Sequence, residues 1–202
     1  MRTKEDIIQI AKKLFGEQGY QRTGMRDIAC ALSIRESTLY GHVASKEELL
    51  WDIMQIAMDG FLLQAAAIPE GLPLEMHLIA WIRGHLNVMV NEPYAVAVLF
   101  QEWGFLQGER RRYLDRQWGD YFSSFQCILL EGERQDIFEI ENSFVSTNFI
   151  LGALNGMYRY ISYYSEQKVE DYCLQCLVLV TQLLKKQYSS KKRNNSHCFR
   201  SS

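Results

Sequence analysis

The cysteine spacing most suggestive of chemistry is Cys173-Leu174-Gln175-Cys176, a C-x-x-C pair. Thiolates at that spacing serve either metal ligation or dithiol–disulfide exchange. A structural zinc site needs four nitrogen or sulfur ligands, and no second cysteine pair or His-x-His run supplies the missing two. A dithiol redox centre belongs in a βαβ setting, whereas the surrounding sequence has helical periodicity. Both cysteines are therefore expected along one buried helical face. The chain has five cysteines, the others being Cys30, Cys127 and Cys198; an odd number implies no disulfide framework, and reduced thiols are expected. No Ser-His-Asp grouping, Gly-rich phosphate loop or paired metal ligands stand at a working spacing, so neither catalysis nor a metal or cofactor is expected.

What remains is hydrogen-bond donation to a polyanion. The planar fork of Arg35 can take guanine O6 and N7 together, a contact that discriminates between bases by roughly 1–3 kcal/mol. Arg26, nine residues earlier, is placed to reach phosphate or base. The net charge of −2 opposes this, but its distribution does not. Residues 1–50 carry eight basic against seven acidic side chains, residues 51–184 eight against seventeen, and residues 185–202 six against none. A polyanion contact is expected at an end of the chain and not in its acidic middle.

The elements that must position these side chains are helices. Ile7, Ile10, Ala11, Leu14 and Phe15 form one apolar stripe, with Thr3 and Asp6 as a capping box and Gly19 as the stop. Short helices follow at about 25–32 and 36–42. Ser45-Lys46-Glu47-Glu48 reads as a full S-x-x-E capping box opening a fourth helix that runs to about Ala67, where Pro69-Glu70-Gly71-Leu72-Pro73 breaks the pattern. Further helices are expected at about 74–90, 93–104 with Pro93 in its first turn, 108–131 closing at Gly132, 140–164 and 167–187. That makes an all-α chain of about nine helices. The 48% apolar and 23% charged composition supports a substantial core. No apolar run spans a bilayer, and the first residues have no apolar signal region, so a cytoplasmic protein without membrane contact is expected. Residues 189–202 are polar, basic and aperiodic, and are expected to be a disordered tail.

Counted from Met25, residues 25–44 fit a helix-turn-helix. Ala29 is the small residue where the two helices touch, and Ile28, Leu32, Ile34 and Leu39 are the inward apolar positions. That packing pushes the third helix outward so that its first residues meet base edges in a major groove. The stretch from Ile7 to Leu50 also resembles the N-terminal domain of the tetracycline-repressor (TetR) family. The resemblance is carried by Ala11, Leu14-Phe15, Gly19-Tyr20, Thr23, Asp27-Ile28-Ala29, Thr38-Leu39-Tyr40, His42 and Ser45-Lys46-Glu47, in order and without gaps. It implies an all-α homodimer with a DNA-binding domain over residues 1–46 and a helical effector-binding and dimerisation domain over 47–188. It also implies a ligand-responsive repressor on a palindromic operator of double-stranded DNA. Thr38, Tyr40, His42 and Lys46 match family positions that contact the DNA backbone. Arg35, Glu36 and Ser37 fall where sequence is read; Arg35 and Ser37 depart from common family residues, as do Ser33 for the turn glycine and Val43 for phenylalanine. The operator is therefore expected to be unusual. If Ser33 is left-handed, it carries about 1 kcal/mol of strain that glycine would avoid.

The rest of the chain is rich in aromatic and methionine side chains, as an adaptable apolar cavity between helices requires. Met54, Met58, Trp81, His85, Met89, Phe100, Trp103, Trp118, Phe122 and Asn148 are the expected lining, although core packing is the ordinary role for any one of them. The C-terminal pattern, Glu131 to Phe138 and then Phe149 to Tyr160, resembles branches of the family that regulate fatty-acid and acyl-CoA metabolism. An acyl-CoA or a lipophilic drug-like cation is the implied effector, the two staying open. Gly152 and Gly156, one turn apart, allow close backbone approach. With Tyr160, Tyr163, Cys173 and Leu177 they mark the expected dimer seam. A thiol- or metal-dependent helical enzyme and a structural dimer without DNA binding are the competing readings.

Overall fold

The computed structural model describes residues 3–161 and 166–184. Tyr163 and the basic segment 189–202 lie outside the described residues, and of Cys173 only the helical backbone is described. Among the described residues the order is α1 (Lys4–Gln18), α2 (Met25–Ala31), α3 (Glu36–Tyr40), α4 (Lys46–Ala66), α5 (Leu74–Asn91), α6 (Pro93–Glu102), a 3₁₀ turn (Trp103–Phe105), α7 (Gly108–Arg134), α8 (Ser143–Gly156), α9 (Tyr158–Ile161) and α10 (Glu166–Leu184). None of these helices is long and apolar enough to cross a membrane.

Helices α1–α3 form a head, and α4–α10 the body beneath it. One continuous hydrophobic cluster runs from Ile7 in the head to Leu184 in the body. Helix α1 packs against α6 as well as α2 and α4, so the head sits on the body through two helices. Polar contacts tighten that seam. Lys12, almost wholly buried, pairs with Glu92 at 2.6 Å, and Lys4 bridges Glu48 and Asp52 at 2.9 Å each. The Tyr94 hydroxyl donates to Glu17 at 2.9 Å, and its ring lies so close to Gly16 that an added Cβ would be 2.9 Å from it. Buried Glu102 accepts the Tyr20 amide at 3.0 Å.

Three local expectations need correction. The eighth expected helix, 140–164, is two. It starts at Ser143, because Asn142 caps it by accepting the Val145 amide at 3.0 Å, while Phe138 and Ile140 are buried in the connection before it. It stops at Gly156, where Met157 turns the chain into α9. Gly132 does not close α7, which continues to Arg134; a Cβ at Gly132 would overlap the Phe138 ring, so the glycine admits the returning chain. Left-handed geometry falls instead on Asp136, at φ 59°. The capping box at Ser45 is half-formed. Ser45 Oγ accepts the Glu48 amide at 3.1 Å, but Glu48 reaches the Ala44 amide and Lys4 instead of the Ser45 amide. The box at Thr3 and Asp6 closes in both directions.

Candidate nucleic-acid interface and the core behind it

The turn between α2 and α3 is set by a few backbone bonds. The Ser33 amide donates to Cys30 O and the Ile34 amide to Ala29 O, both at 3.0 Å. Between them Ser33 adopts φ 56°, the left-handed region, where an L-residue is strained by about 1–2 kcal/mol. Ile28, Ala29, Leu32, Leu39 and Val43 are all buried beneath the turn. Small Ala29 lets the two helices close on Leu39, whose accessible surface is zero.

That clamp turns one row of side chains outward. Arg35, Glu36, Ser37, Thr38 and Tyr40 are exposed, and Arg26 at the start of α2 is exposed with them. Tyr40 keeps half its surface in solvent, so its ring is not consumed by packing. Arg35 stands at the N-cap of α3 in extended geometry, and no ion pair among the described residues engages Arg26 or Arg35. Their guanidinium forks are therefore available as donors. His42 and Lys46 are only half-exposed. The Lys46 ammonium lies 4.2 Å above the Tyr20 ring, and desolvation there pulls its pKa below the ordinary lysine value. Tyr20 in turn packs edge-on against Phe15 and beside Phe105 of the 3₁₀ turn. The structure thus gathers Arg26 and residues 35–40 on one face, with Lys46 at its edge, tied to the body.

The expected effector residues separate into three groups. Met54, Met58, Trp81, His85 and Met89 are buried. Phe100, Trp103, Trp118 and Phe122 are half-buried and pack against that core. Asn148 is exposed and donates to Phe144 O on its own helix at 2.9 Å, so it does not join them, because its register on α8 faces outward. At the centre His85 is stacked between Phe61 at 4.7 Å and Trp81 at 5.6 Å, with its Nδ1 2.8 Å from the Tyr121 hydroxyl. Full burial holds its pKa at about 3, so the imidazole is neutral. The tautomer with Tyr121 donating to Nδ1 leaves an N–H on Nε2. That N–H faces Asn155 Oδ1, the side-chain hydrogen-bond partner of His85, although the contact falls short of ordinary hydrogen-bond geometry, and Thr147 Oγ1 elsewhere on α8 is buried without a partner among the described residues. Sequence reading missed Thr147, Asn155 and the Tyr121 contact. Thirty-six positions separate His85 from Tyr121, and no spacing rule along one helix relates them.

The expected seam residues also divide. Gly152, Gly156 and Tyr160 are exposed, and a Cβ on either glycine would meet nothing within 4 Å among the described residues, so packing against those does not explain them. Leu177 faces inward and is buried, because the outward register of α10 belongs to Leu174, Val178, Leu179 and Leu183. On α8 the outward residues are Phe144, Val145 and Phe149. Cys176, half-buried, lies 3.1 Å from the Met157 sulfur, and burial pushes its thiol pKa up, away from the thiolate character that redox chemistry requires. Among the described residues no three His, Cys, Asp or Glu side chains cluster as metal ligands.

Comparison with known proteins bears on this arrangement. Residues 7–53 match the family model "Bacterial regulatory proteins, tetR family", and residues 72–167 match "Tetracyclin repressor-like, C-terminal domain". The HTH-type transcriptional repressor KstR2 of Rhodococcus jostii is 28% identical over 137 residues, 67% of each chain. The HTH-type transcriptional regulator TcmR of Streptomyces glaucescens is 34% identical over 70 residues, 35% of this chain and 31% of that one. Among solved structures, the ketosteroid regulator KstR2 of Mycobacterium tuberculosis superposes with a TM-score of 0.83 at 19% identity, covering 91% of this chain and 95% of the other. PfmR of Thermus thermophilus gives 0.80 at 24% identity over 89% and 99%. AibR, solved with isovaleryl coenzyme A and operator DNA, gives 0.77 at 22% over 88% and 97%. The two family models together take in the helix-turn-helix and most of the body, and the chain belongs to the tetR family of bacterial regulatory proteins, which are DNA-binding transcriptional regulators.

Proposed function

We propose that this protein is a cytoplasmic repressor that binds a palindromic operator as a homodimer and leaves it when a small, mostly apolar effector enters the body. In this reading residues 1–46 are the DNA-binding unit, residues 47–188 bind the effector and pair the subunits, and 189–202 are a basic tail. The observation that carries it is the outward row Arg26, Arg35, Glu36, Ser37, Thr38 and Tyr40, raised on the buried Ala29–Leu39 clamp. Arg35, Glu36 and Ser37 read base edges; Thr38, Tyr40 and His42 hold phosphates. Lys46 releases the Tyr20 face to do the same.

Pairing uses the outer face of α8 and α10. Seven large apolar side chains there are more than half exposed, around two glycines with open space above them. Exposed large apolar side chains in this number mark an interface, and two-fold pairing presents two α3 helices to two half-sites. The effector site is the aromatic core around His85. Its His85 Nε2 and Asn155 Oδ1, paired only loosely, suit a neutral hydroxyl or carbonyl, because a buried polar group left poorly paired is unfavourable by about 1–3 kcal/mol. KstR2 is named for a ketosteroid, which carries a carbonyl on a large apolar body, and AibR was solved with isovaleryl coenzyme A, whose thioester carbonyl adjoins a short apolar chain. The raised Cys176 thiol weighs against a redox enzyme, and the reading needs no catalytic step.

The test is binding of the purified protein to the DNA upstream of its own gene. Affinity should fall steeply with salt as phosphate counterions are released. Arg35→Ala should weaken specific binding about 5- to 150-fold. Salt-insensitive binding, or Arg35→Ala and Tyr40→Phe variants that bind like the parent, would refute it in favour of a structural dimer.

A further inference from the structure

Helix α7 begins with a cluster of cations that the DNA interface does not use. Residues 51–184 are strongly acidic, yet four of their eight basic residues are Arg110, Arg111, Arg112 and Arg116. Arg111 turns aside to Asp115 at 2.8 Å and to Trp103 O at 3.2 Å. The other three, with Trp51, Tyr113 and Glu109, line an open cleft of about 470 Å³ between the first turns of α4 and α7.

Two of these arginines are held by rings. Arg110 lies over Trp51 at 5.9 Å and Arg116 over Tyr113 at 5.8 Å, while the two rings meet edge-on at 5.7 Å. A cation–π contact at this distance does not use up the five N–H donors of a guanidinium, which remain able to grip an oxyanion. Arg110 has one distant carboxylate, Glu47 at 3.8 Å. Arg112 and Arg116 have none within 4 Å among the described residues. Glu109 is the single carboxylate lining the cleft, so its net charge is positive.

The cleft lies on the same two helices as the aromatic core, one polar pair away from it. Trp51 and Gln55 are one turn apart on α4. Tyr113, Gln117 and Tyr121 follow one another down one face of α7, about 12 Å from first to last at 1.5 Å per residue. The Gln55 amide donates to Gln117 Oε1 at 3.0 Å, and this polar pair separates the cleft from Tyr121 and His85.

We propose that the cleft binds the phosphate-bearing headgroup of an amphiphilic effector whose apolar part passes the Gln55–Gln117 pair into the core. The inference rests on the effector reading above and adds to it a charge and an orientation: head at Arg112 and Arg116, tail at His85.

Isothermal titration of the full-length protein, without DNA, with n-decyl phosphate and with n-decanol tests it. The phosphate should bind at least 10-fold more tightly than the alcohol, and R112A/R116A should abolish that preference. Equal binding of the two probes, no binding of decyl phosphate, or a preference that survives the double substitution overturns the proposal. The same phosphate chemistry is offered by the DNA backbone, and the ligand-free operator distinguishes the two. R112A/R116A should keep the parent's affinity and salt dependence, which also shows that it folds. A log–log salt slope shallower by about 1.8, two phosphates' worth at 0.9 each, would assign these arginines to DNA and overturn the effector site. Failure of the parent to bind its operator would remove the repressor reading while leaving the titration interpretable.

Discussion

One distinct part of the pH dependence of stability should come from His85. The side chain is fully buried and its folded pKa is about 3, against about 6.5 in an unfolded chain. The folded state therefore stays neutral over a range in which the unfolded state binds a proton. The folded pKa is depressed, so this contribution is fully present above pH 6.5 and is lost as pH falls from there towards 3. At pH 5.0 the unfolded chain gains RT ln(1 + 10^1.5), about 2 kcal/mol, whereas at pH 7.5 it gains less than about 0.1. Carboxylates titrate in the same range, so the measurement must be a difference of differences. Urea unfolding of the parent and of His85→Phe, at pH 7.5 and 5.0 and at one fixed protein concentration, isolates the term. Phenylalanine preserves the stack with Phe61 and Trp81 and leaves the Tyr121 hydroxyl unpaired, a loss that is the same at both pH values. The parent should lose about 2 kcal/mol more than the variant on acidification. Equal losses, within about 0.5 kcal/mol, would mean that His85 ionises in the folded protein and that the sealed neutral core described here is wrong.

Other perturbations report on the scaffold. Ser33→Gly should stabilise by up to about 1 kcal/mol by relieving the left-handed strain, and Ser33→Val should destabilise by at least as much; two neutral results in urea unfolding would deny the turn its conformation. Gly132→Ala should destabilise by about 1–3 kcal/mol through overlap with Phe138, and Phe138→Ala in the same chain should recover part of it, read as a coupling energy in a double-mutant cycle. Glu102→Ala removes the acceptor of the Tyr20 amide and should destabilise by about 1–3 kcal/mol; Glu102→Gln keeps the acceptor oxygen and should be milder, so equal effects would show that the bond contributes little.

The head was readable because its information is local. Ala29, Leu32 and Leu39 lie within eleven residues, and their helical spacing fixes which neighbours face outward, so the exposed row from Arg35 to Tyr40 follows from the pattern alone. Expected helix bounds through α1–α6 hold to within about two residues for the same reason, since caps and prolines act on the chain nearest them. Gly132 shows where this ends. A glycine after an apolar periodic run reads as a stop, yet its lack of a side chain is used by Phe138 arriving from the next connection. The sequence cannot distinguish a glycine that frees φ from one that frees space.

The same limit governs the body. Periodicity told that His85 and Leu177 belong to amphipathic helices, but the partners that give them meaning lie on other helices. His85 meets Tyr121 on α7 and Asn155 on α8, while Leu177 turns inward and leaves Leu174 and Val178 outside. Coupling between body and head is also long-range. Lys12 to Glu92, Glu17 to Tyr94 and Tyr20 to Glu102 each join residues about eighty positions apart, and all three fasten α1 or the turn after it to α6 and the residue that precedes it. Phe100 joins the other end of that route, because it lies on α6 and packs against Phe61, Trp118 and Tyr158. An effector that spreads the core rings must displace Phe100 or strain it. Hydrogen bonds and a part-buried ion pair join α6 to α1, so a displacement of α6 would carry α1 with it and not be absorbed at that seam. Ring packing in the body is thereby linked through α6 to the head that carries α3.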